Sequence, residues 1–197
     1  MKKIVLATNN HNKVIEIKEL LQDLPLEILT LQDFPGLVMP EEDCPTFAGN
    51  AAKKAETVAH YSGEMAIADD SGLEVDALNG RPGVRSARYA GEEASDRSNN
   101  KLLLEELKNV PAPKRSACFK CAIAVAFPGD KTAVVEEYCP GRLAEKPLGE
   151  KGFGYDPLFI YEPSGLTFAQ MSREEKNKVS HRGKALRRVR ELLEELL

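Results

Sequence analysis

Two adjacent aspartates, Asp69 and Asp70, are the residues with the clearest potential for chemistry, and Ser71-Gly72 follows them directly. They come after the apolar run 65–68, which predicts a buried strand. Carboxylates that leave the end of a strand can bind Mg²⁺ or position a water molecule for hydrolysis. In a regular strand the two side chains would point to opposite faces, so only one would face a site unless the chain turns there. A polar turn before a second strand is the alternative, and the pattern leaves both interpretations open.

A polar turn near the start of the chain has the composition of an anion-binding site. It consists of Thr8, Asn9, Asn10, His11, Asn12 and Lys13. It joins the apolar run 2–7, a predicted strand, to the amphipathic segment 14–24, a predicted helix. Backbone N–H groups and the dipole at a helix N-terminus favour a phosphate, and Lys13 adds a positive charge. Because the segment is not a Walker loop, an asparagine-rich helix cap with a surface lysine is the alternative.

Two segments in the second half of the chain could recognise a planar ligand. Gly152-Phe153-Gly154-Tyr155-Asp156-Pro157 places two aromatic residues and one acid among glycines. Glycine lets the backbone approach a ligand closely, and an aromatic face can stack on a nucleobase. Ser180-His181-Arg182-Gly183 begins the last predicted helix, with Lys176 just upstream, and a planar arginine can bind a carbonyl or a phosphate. A tight turn with core aromatics and a polar helix start are the alternatives.

Cysteines and histidines do not predict a zinc or redox site. Cys118-Phe119-Lys120-Cys121 is a CxxC, but it lies in a strand pattern, where residues three apart point to opposite faces. The histidines His11, His60 and His181 lack the spacing of zinc ligands. The acidic run 41–43 lies in an irregular loop and could supply a further oxygen ligand, although most such runs are simply solvated.

The composition is that of one globular domain. The chain has 197 residues, of which 42% are hydrophobic and 29% charged, so we expect a single domain over 1–197 with two lobes. The net charge of −4 argues against a protein that binds duplex DNA through overall positive charge. It is compatible with a small anionic ligand, which needs only a few nearby cations. No segment resembles an export signal or a membrane span, and the four cysteines need not pair. We therefore expect a cytoplasmic protein with reduced thiols.

The elements that must position these residues change character along the chain. The first half alternates predicted strands at 2–7, 26–29 and 65–68 with predicted helices at 14–24, 48–62 and 95–107. The second half contains the longer predicted strands 117–127 and 132–139, joined by the turn Pro128-Gly129-Asp130, and a terminal helix at 183–197. This order predicts an α/β fold, with a mixed central sheet flanked by helices and a ligand-binding cleft between two lobes.

Together these segments resemble the inosine triphosphate pyrophosphatase family, whose members hydrolyse non-standard purine nucleoside triphosphates such as dITP, ITP and XTP. The resemblance runs from Lys3 to the last helix. It also rests on Thr46-Phe47 with Asn50-Ala51, on Pro82-Gly83 with Ser86-Ala87-Arg88-Tyr89, and on Glu175-Lys176. Each motif is short, but their order and spacing together are specific. The family commonly has glutamate immediately before Asn50, whereas this chain has Gly49.

The resemblance implies a role for each matching residue. Asp70 matches the general base and a metal ligand, Glu42 matches a second Mg²⁺ ligand, and Ser71 matches a substrate contact. Lys54 and Lys176 match lysines that face the nucleotide. The triphosphate-binding turn matches residues 8–13, and the base pocket matches Phe153, Gly154, Tyr155, Asp156, His181 and Arg182. The family also implies a Mg²⁺ cofactor and a homodimer; if the missing glutamate holds metal in relatives, Glu42 or Asp69 must replace it here.

The expected activity is hydrolysis of an acid anhydride. Water attacks the α-phosphorus and pyrophosphate leaves, a reaction in which positioning and charge neutralisation dominate. Hypoxanthine and xanthine carry a carbonyl where adenine carries an amino group, so a donor such as Arg182 would favour them. The alternatives are a pyrophosphatase for other modified nucleotides and a nucleotide-binding module without turnover. We expect neither stable nucleic-acid binding nor membrane association.

Overall fold

The computed structural model describes residues 2–129 and 131–196, and seven strands in this part of the chain form one mixed sheet. The strands are β1 (Lys2–Leu6), β2 (Leu26–Thr30), β3 (Met65–Val75), β4 (Ser116–Ala126), β5 (Ala133–Leu143), β6 (Phe159–Tyr161) and β7 (Leu166–Thr167). Their order is β2-β1-β3-β4-β5-β6-β7. β1 pairs in parallel with β2 and β3, whereas β6 pairs antiparallel with β5 and β7. The predicted α/β fold with a mixed sheet is confirmed, and the nucleotide-binding cleft stays a prediction.

Five α-helices accompany the sheet in the described residues: α1 (His11–Leu21), α2 (Phe47–Ser62), α3 (Asp96–Glu106), α4 (Arg173–Val179) and α5 (His181–Leu196). Side chains cap several of them, as Thr46 does for α2 and Ser95 for α3. No helix in this part of the chain is long and apolar enough to cross a membrane. Asp130, in the predicted turn before β5, lies outside the described residues.

Two boundaries near the candidate site differ from the sequence predictions. α1 begins at His11 rather than at residue 14, because Asn10 caps the helix and draws the polar residues into its first turn. β3 continues through the two aspartates to Val75 rather than ending at Ala68. The strand can carry buried acids because lysines lie against them, as described below. The aspartates therefore lie within a strand, not at the end of one.

The chain divides into two compact units, and each has its own apolar cluster. The first unit consists of Met1–Asp70, Cys121–Glu137 and Gly183–Leu197, and the second of Ser71–Lys120 and Tyr138–Arg182. The first cluster includes the fully buried side chains Ile4, Leu6, Ile17, Ile67, Ile123 and Leu186. The second includes Leu73, Leu103, Leu143, Phe159 and Phe168. Each cluster fixes the strands on which candidate site residues lie.

Candidate active site

The polar turn after β1 is held by its own side chains. Asn10 Oδ1 accepts hydrogen bonds from the backbone N–H groups of Asn12 and Lys13, at 3.0 and 3.2 Å. Thr8 Oγ1 accepts one from the Asn10 N–H at 3.1 Å. Thr8, Asn9 and His11 line a hollow of about 350 Å³ in the first unit. The asparagine cap is thus present, and it pre-orders the turn that borders this hollow.

Asp69 is fully buried and organises two lysines of the first unit. Its carboxylate forms an ion pair with Lys13 Nζ and lies 3.0 Å from Cys121 Sγ. Its backbone carbonyl accepts a hydrogen bond from Lys54 Nζ at 2.9 Å. Because both oxygen-bearing groups of Asp69 contact protein groups, this residue orients the lysines. Cys121 takes part through this contact and not through the CxxC pattern.

Asp70 lies beside the ammonium group of Lys54. Lys54 Nζ is 3.8 Å from Asp70 Oδ1 and 2.5 Å from Glu42 Oε1, so the two acids have one cation in common. Asn50 Nδ2 donates to Asp70 Oδ2 at 3.0 Å, while Asn50 Oδ1 accepts from the backbone N–H of Cys44 at 2.9 Å. Asn50 therefore ties Asp70 to the loop that carries Glu42.

The electrostatics favour a basic carboxylate at Asp70. Burial raises the pKa of Asp70 above its usual value, and the Glu42 carboxylate raises it as well. The nearby Lys54 and Lys13 lower it, as does the hydrogen bond from Asn50, but the net direction is upward. A raised pKa makes the ionised carboxylate a better proton acceptor.

The donor set at Asp70 fits a hard divalent cation. Glu42 and Asp70 supply carboxylate oxygens, which Mg²⁺ prefers, and the ammonium group near both indicates that the position favours positive charge. Within residues 2–129 and 131–196 no group of three or more His, Cys, Asp or Glu side chains is arranged to hold a metal. A Mg²⁺ ion here would therefore take its other ligands from water and phosphate, as this ion commonly does.

The glycine at position 49 bears on the same donor set. A Cβ atom on Gly49 would lie 2.9 Å from Cys44 Cβ and 3.1 Å from Thr46 Oγ1, so a glutamate there would require this loop to shift. The Asp69 carboxylate forms an ion pair with Lys13. Of the two replacements considered from the sequence, Glu42 is the one that shares a contact with Asp70.

In the second unit, the predicted aromatic segment forms a tight turn around Asp156. The Asp156 N–H donates to the Phe153 carbonyl at 3.2 Å, and the Phe153 N–H donates to Asp156 Oδ2 at 3.0 Å. Lys176 Nζ donates to the same carboxylate oxygen at 2.6 Å. Gly152 has a φ of +76°, and a Cβ atom there would collide with the Asp156 carboxylate. Only glycine fits that position without distortion.

Two cations lie over the ring of Phe153. Lys176 Nζ is 4.6 Å and Arg182 Cζ is 5.4 Å from the ring centroid, within the range of cation–π contacts. Arg182 also donates to Ser71 Oγ at 2.7 Å. The structure therefore brings together Phe153, Asp156, Lys176, Arg182 and Ser71, and their role in binding a ligand stays a prediction.

Two other predicted pocket residues make structural contacts. The ring of His181 stacks on Phe119 with centroids 4.6 Å apart. The Tyr155 hydroxyl donates to the Ser86 carbonyl at 2.8 Å, and burial raises the pKa of Tyr155. Gly154 is held by Asp96 and Asn100 of α3, which the sequence analysis did not include. The only sequence signal for Asp96 was its place after the helix cap Ser95, which gives no hint of a partner 58 residues away.

The first unit of this α/β fold thus holds a buried strand aspartate beside lysines, and the second unit holds an aromatic turn beneath two cations. A model of the Ham1 family matches residues 4–192. The chain belongs to the Ham1 family, which confirms the resemblance found in the sequence.

Relatives support the assignment over nearly the full length. The dITP/XTP pyrophosphatase of Desulforamulus reducens is 50% identical over 194 residues, covering 98% of this chain and 96% of the relative. That of Geobacillus kaustophilus is 51% identical over 197 residues, covering 100% and 97%. The solved structure of a HAM1 protein from Coxiella burnetii is 40% identical and superposes with a TM-score of 0.92 over 99% of this chain and 100% of that one.

Proposed function

We propose that this protein hydrolyses non-standard purine nucleoside triphosphates, such as dITP, ITP and XTP, to the nucleoside monophosphate and pyrophosphate. It thereby removes these nucleotides from the pool. The observation that carries the proposal is the buried Asp70, held by Asn50 and flanked by Lys54, in a chain half identical to proteins named dITP/XTP pyrophosphatase. The sequence-based prediction of an acid-anhydride hydrolase agrees with those names.

The first unit carries the phosphate chemistry in this proposal. Asp70 accepts the proton of the attacking water, a role for which its raised pKa suits it. Lys54 and Lys13, both oriented by Asp69, neutralise the charge that develops on the leaving pyrophosphate. Thr8, Asn9 and His11 of the turn line the hollow that would receive phosphate oxygens. When bound, Mg²⁺ would neutralise phosphate charge, and Glu42 and Asp70 would hold it.

The second unit carries base recognition. The face of Phe153 provides a surface on which a purine ring can stack. Lys176 and Arg182 lie over the Phe153 ring, and their side chains can donate hydrogen bonds but cannot accept them. The 6-carbonyl of hypoxanthine or xanthine would accept a hydrogen bond from such a donor. The 6-amino group of adenine cannot accept one, so it would leave the donor unpaired.

The proposal has three further parts. The resemblance to the family implies a homodimer, while length and composition favour one functional domain over residues 1–197, and the sequence features favour action in the cytoplasm. Sedimentation of the purified protein tests the first of these, because a homodimer has twice the 21.7 kDa mass of the chain.

The activity is tested by incubating the purified protein with Mg²⁺ and dITP, dATP or dGTP, each in a separate reaction. Pyrophosphate and orthophosphate are quantified in parallel. We expect pyrophosphate from dITP, with dATP and dGTP nearly inert. Because guanine shares the 6-carbonyl, an inert dGTP requires that its 2-amino group be rejected separately. Pyrophosphate from all three would contradict the base recognition, and orthophosphate in its place would contradict attack at the α-phosphorus. Binding of dITP without any product would favour a nucleotide-binding module.

A further inference from the structure

We propose that Asp96 and Asn100, one turn apart on α3, form a clamp that positions Phe153 and thereby sets the discrimination between purine bases. This inference rests on the proposed function and adds two specificity-positioning residues to it. Both act through the backbone of Gly154, the residue that follows Phe153.

The clamp holds both polar groups of one residue. The Gly154 N–H donates to Asp96 Oδ2 at 2.6 Å, and the Gly154 carbonyl accepts from Asn100 Nδ2 at 2.7 Å. Asn100 Nδ2 also donates to the Asp96 carbonyl at 2.7 Å, which ties the two clamp residues to each other. A peptide segment fixed at both its N–H and its carbonyl has little rotational freedom, so α3 sets the orientation of this turn.

Hydrogen bonds must hold this side of the turn because it borders open space. Asp96, Asn100, Phe153 and Gly154 all line one cavity of about 700 Å³ in the second unit. Gly154 has a φ of +61°, and a Cβ atom there would meet nothing within 4 Å. Side-chain packing does not reach Gly154 from that direction, so polar contacts with α3 supply the constraint.

The opposite side of the turn is fixed by Asp156. Its carboxylate accepts from both the Phe153 N–H and Lys176 Nζ. The ring of Phe153 is thus placed by two constraints, one from Asp156 and one from α3. Loss of the α3 constraint would let the turn and its ring shift relative to Lys176 and Arg182. A shift of this kind weakens a specific hydrogen bond to the base without removing any group that binds it.

Steady-state kinetics test the clamp. We expect Asp96→Ala and Asn100→Ala each to raise the KM for dITP and to narrow the ratio of kcat/KM for dITP over dATP by about tenfold, with kcat for dITP nearly unchanged. Asp96→Asn retains a side-chain oxygen that can accept from the Gly154 N–H, so it should restore most of the ratio. Lys101→Ala is the matched control, because Lys101 is an exposed residue of α3 that lines the same cavity.

A fluorescence measurement reports the ring directly. The chain has no tryptophan, so Phe153→Trp introduces a single indole at the proposed ring position. We expect the acrylamide quenching constant of this indole to rise about twofold or more when Asp96→Ala or Asn100→Ala is added, because the ring becomes less ordered. Addition of Lys101→Ala should leave the quenching constant unchanged.

The two readouts separate failure of the clamp from failure of the proposed function. If the unmodified protein releases no pyrophosphate from dITP, the proposed function is wrong, and the quenching series still reports whether α3 orders the turn. If the unmodified protein is active and selective but the clamp variants keep both its selectivity and its quenching constant, the clamp is wrong. A uniform loss of kcat on all nucleotides, without rescue by Asp96→Asn, would show that Asp96 and Asn100 have only a structural role. That result would also contradict the clamp proposal.

Discussion

Asp70 is the residue on which the proposed chemistry depends most. Asp70→Asn keeps the size of the side chain and an oxygen for the bond from Asn50, but it removes the proton acceptor. We expect kcat for pyrophosphate release to fall at least about 10²-fold, the scale of one general base. Asp23→Asn, an exposed aspartate of the same unit, should retain full activity. An Asp70→Asn protein with undiminished turnover would contradict the mechanism.

Lys54 sets the charge around Asp70, and its removal should change the pH profile. Burial raises the pKa of Asp70 while the Lys54 ammonium lowers it, so Lys54→Met should raise that pKa further. Because the ionised carboxylate is the active form, the acidic limb of kcat/KM should move to higher pH. Lys53→Met, at the adjacent position of α2, removes an exposed lysine paired with Asp43 and should leave the limb in place. A shift in the opposite direction would show that Lys54 does not act on Asp70 through its charge.

Single candidate residues could be selected from the sequence, but their pairings could not. Residue type and order were sufficient to select Asp70, Phe153 and Arg182 as candidates. The contacts of Asp69 with Lys13 and Cys121 span more than 50 residues of sequence, and side-chain pairs at that separation leave no periodic signal. The raised pKa of Asp70 leaves no signal in the sequence for the same reason, because its burial depends on elements far away in the chain.

At the scale of elements, the order of strands and helices was predictable, whereas two of their limits near the site were not. Apolar periodicity located β1 and α1. It did not indicate that Asn10 caps α1, so that the helix begins at His11 and includes the polar residues that follow Asn10. Two consecutive acids normally indicate the end of a buried strand. β3 passes through Asp69 and Asp70 because distant lysines compensate their charge, which is information that a local pattern lacks.

The turn 152–156 allows a matched pair of substitutions at two glycines with positive φ. Gly152→Ala should distort the turn for two reasons. Its φ of +76° is unfavourable for alanine, and the added methyl group would collide with the Asp156 carboxylate. Gly154→Ala meets only the backbone strain, of about 1 kcal/mol, because no atom lies within 4 Å of its Cβ position. We expect KM for dITP to rise at least about tenfold for Gly152→Ala and clearly less for Gly154→Ala. Equal effects would mean that the Asp156 contact does not order the turn.

At the scale of the whole molecule, the two apolar clusters lie in units that are interleaved along the sequence. Four boundaries separate the units. Three fall within strands, between Asp70 and Ser71 in β3, between Lys120 and Cys121 in β4 and between Glu137 and Tyr138 in β5, and the fourth falls within α5, between Arg182 and Gly183. Melting of one unit would therefore break the ladder of strands that continue into the other. This connectivity supports our proposal that residues 1–197 act as one domain, and it predicts a single cooperative unfolding transition.

Core substitutions in each unit test that cooperativity. Ile17→Ala in the first cluster and Leu103→Ala in the second both remove a fully buried side chain, so each should lower the free energy of unfolding by about 2–5 kcal/mol. Leu166→Ala, at a partly exposed residue, should cost far less. In calorimetry, each core variant should shift one transition as a whole, with a van't Hoff enthalpy equal to the calorimetric enthalpy. If Ile17→Ala and Leu103→Ala instead displaced two separate transitions, each in its own unit, the single-domain proposal would be wrong, because the shared strands would then fail to couple the two clusters.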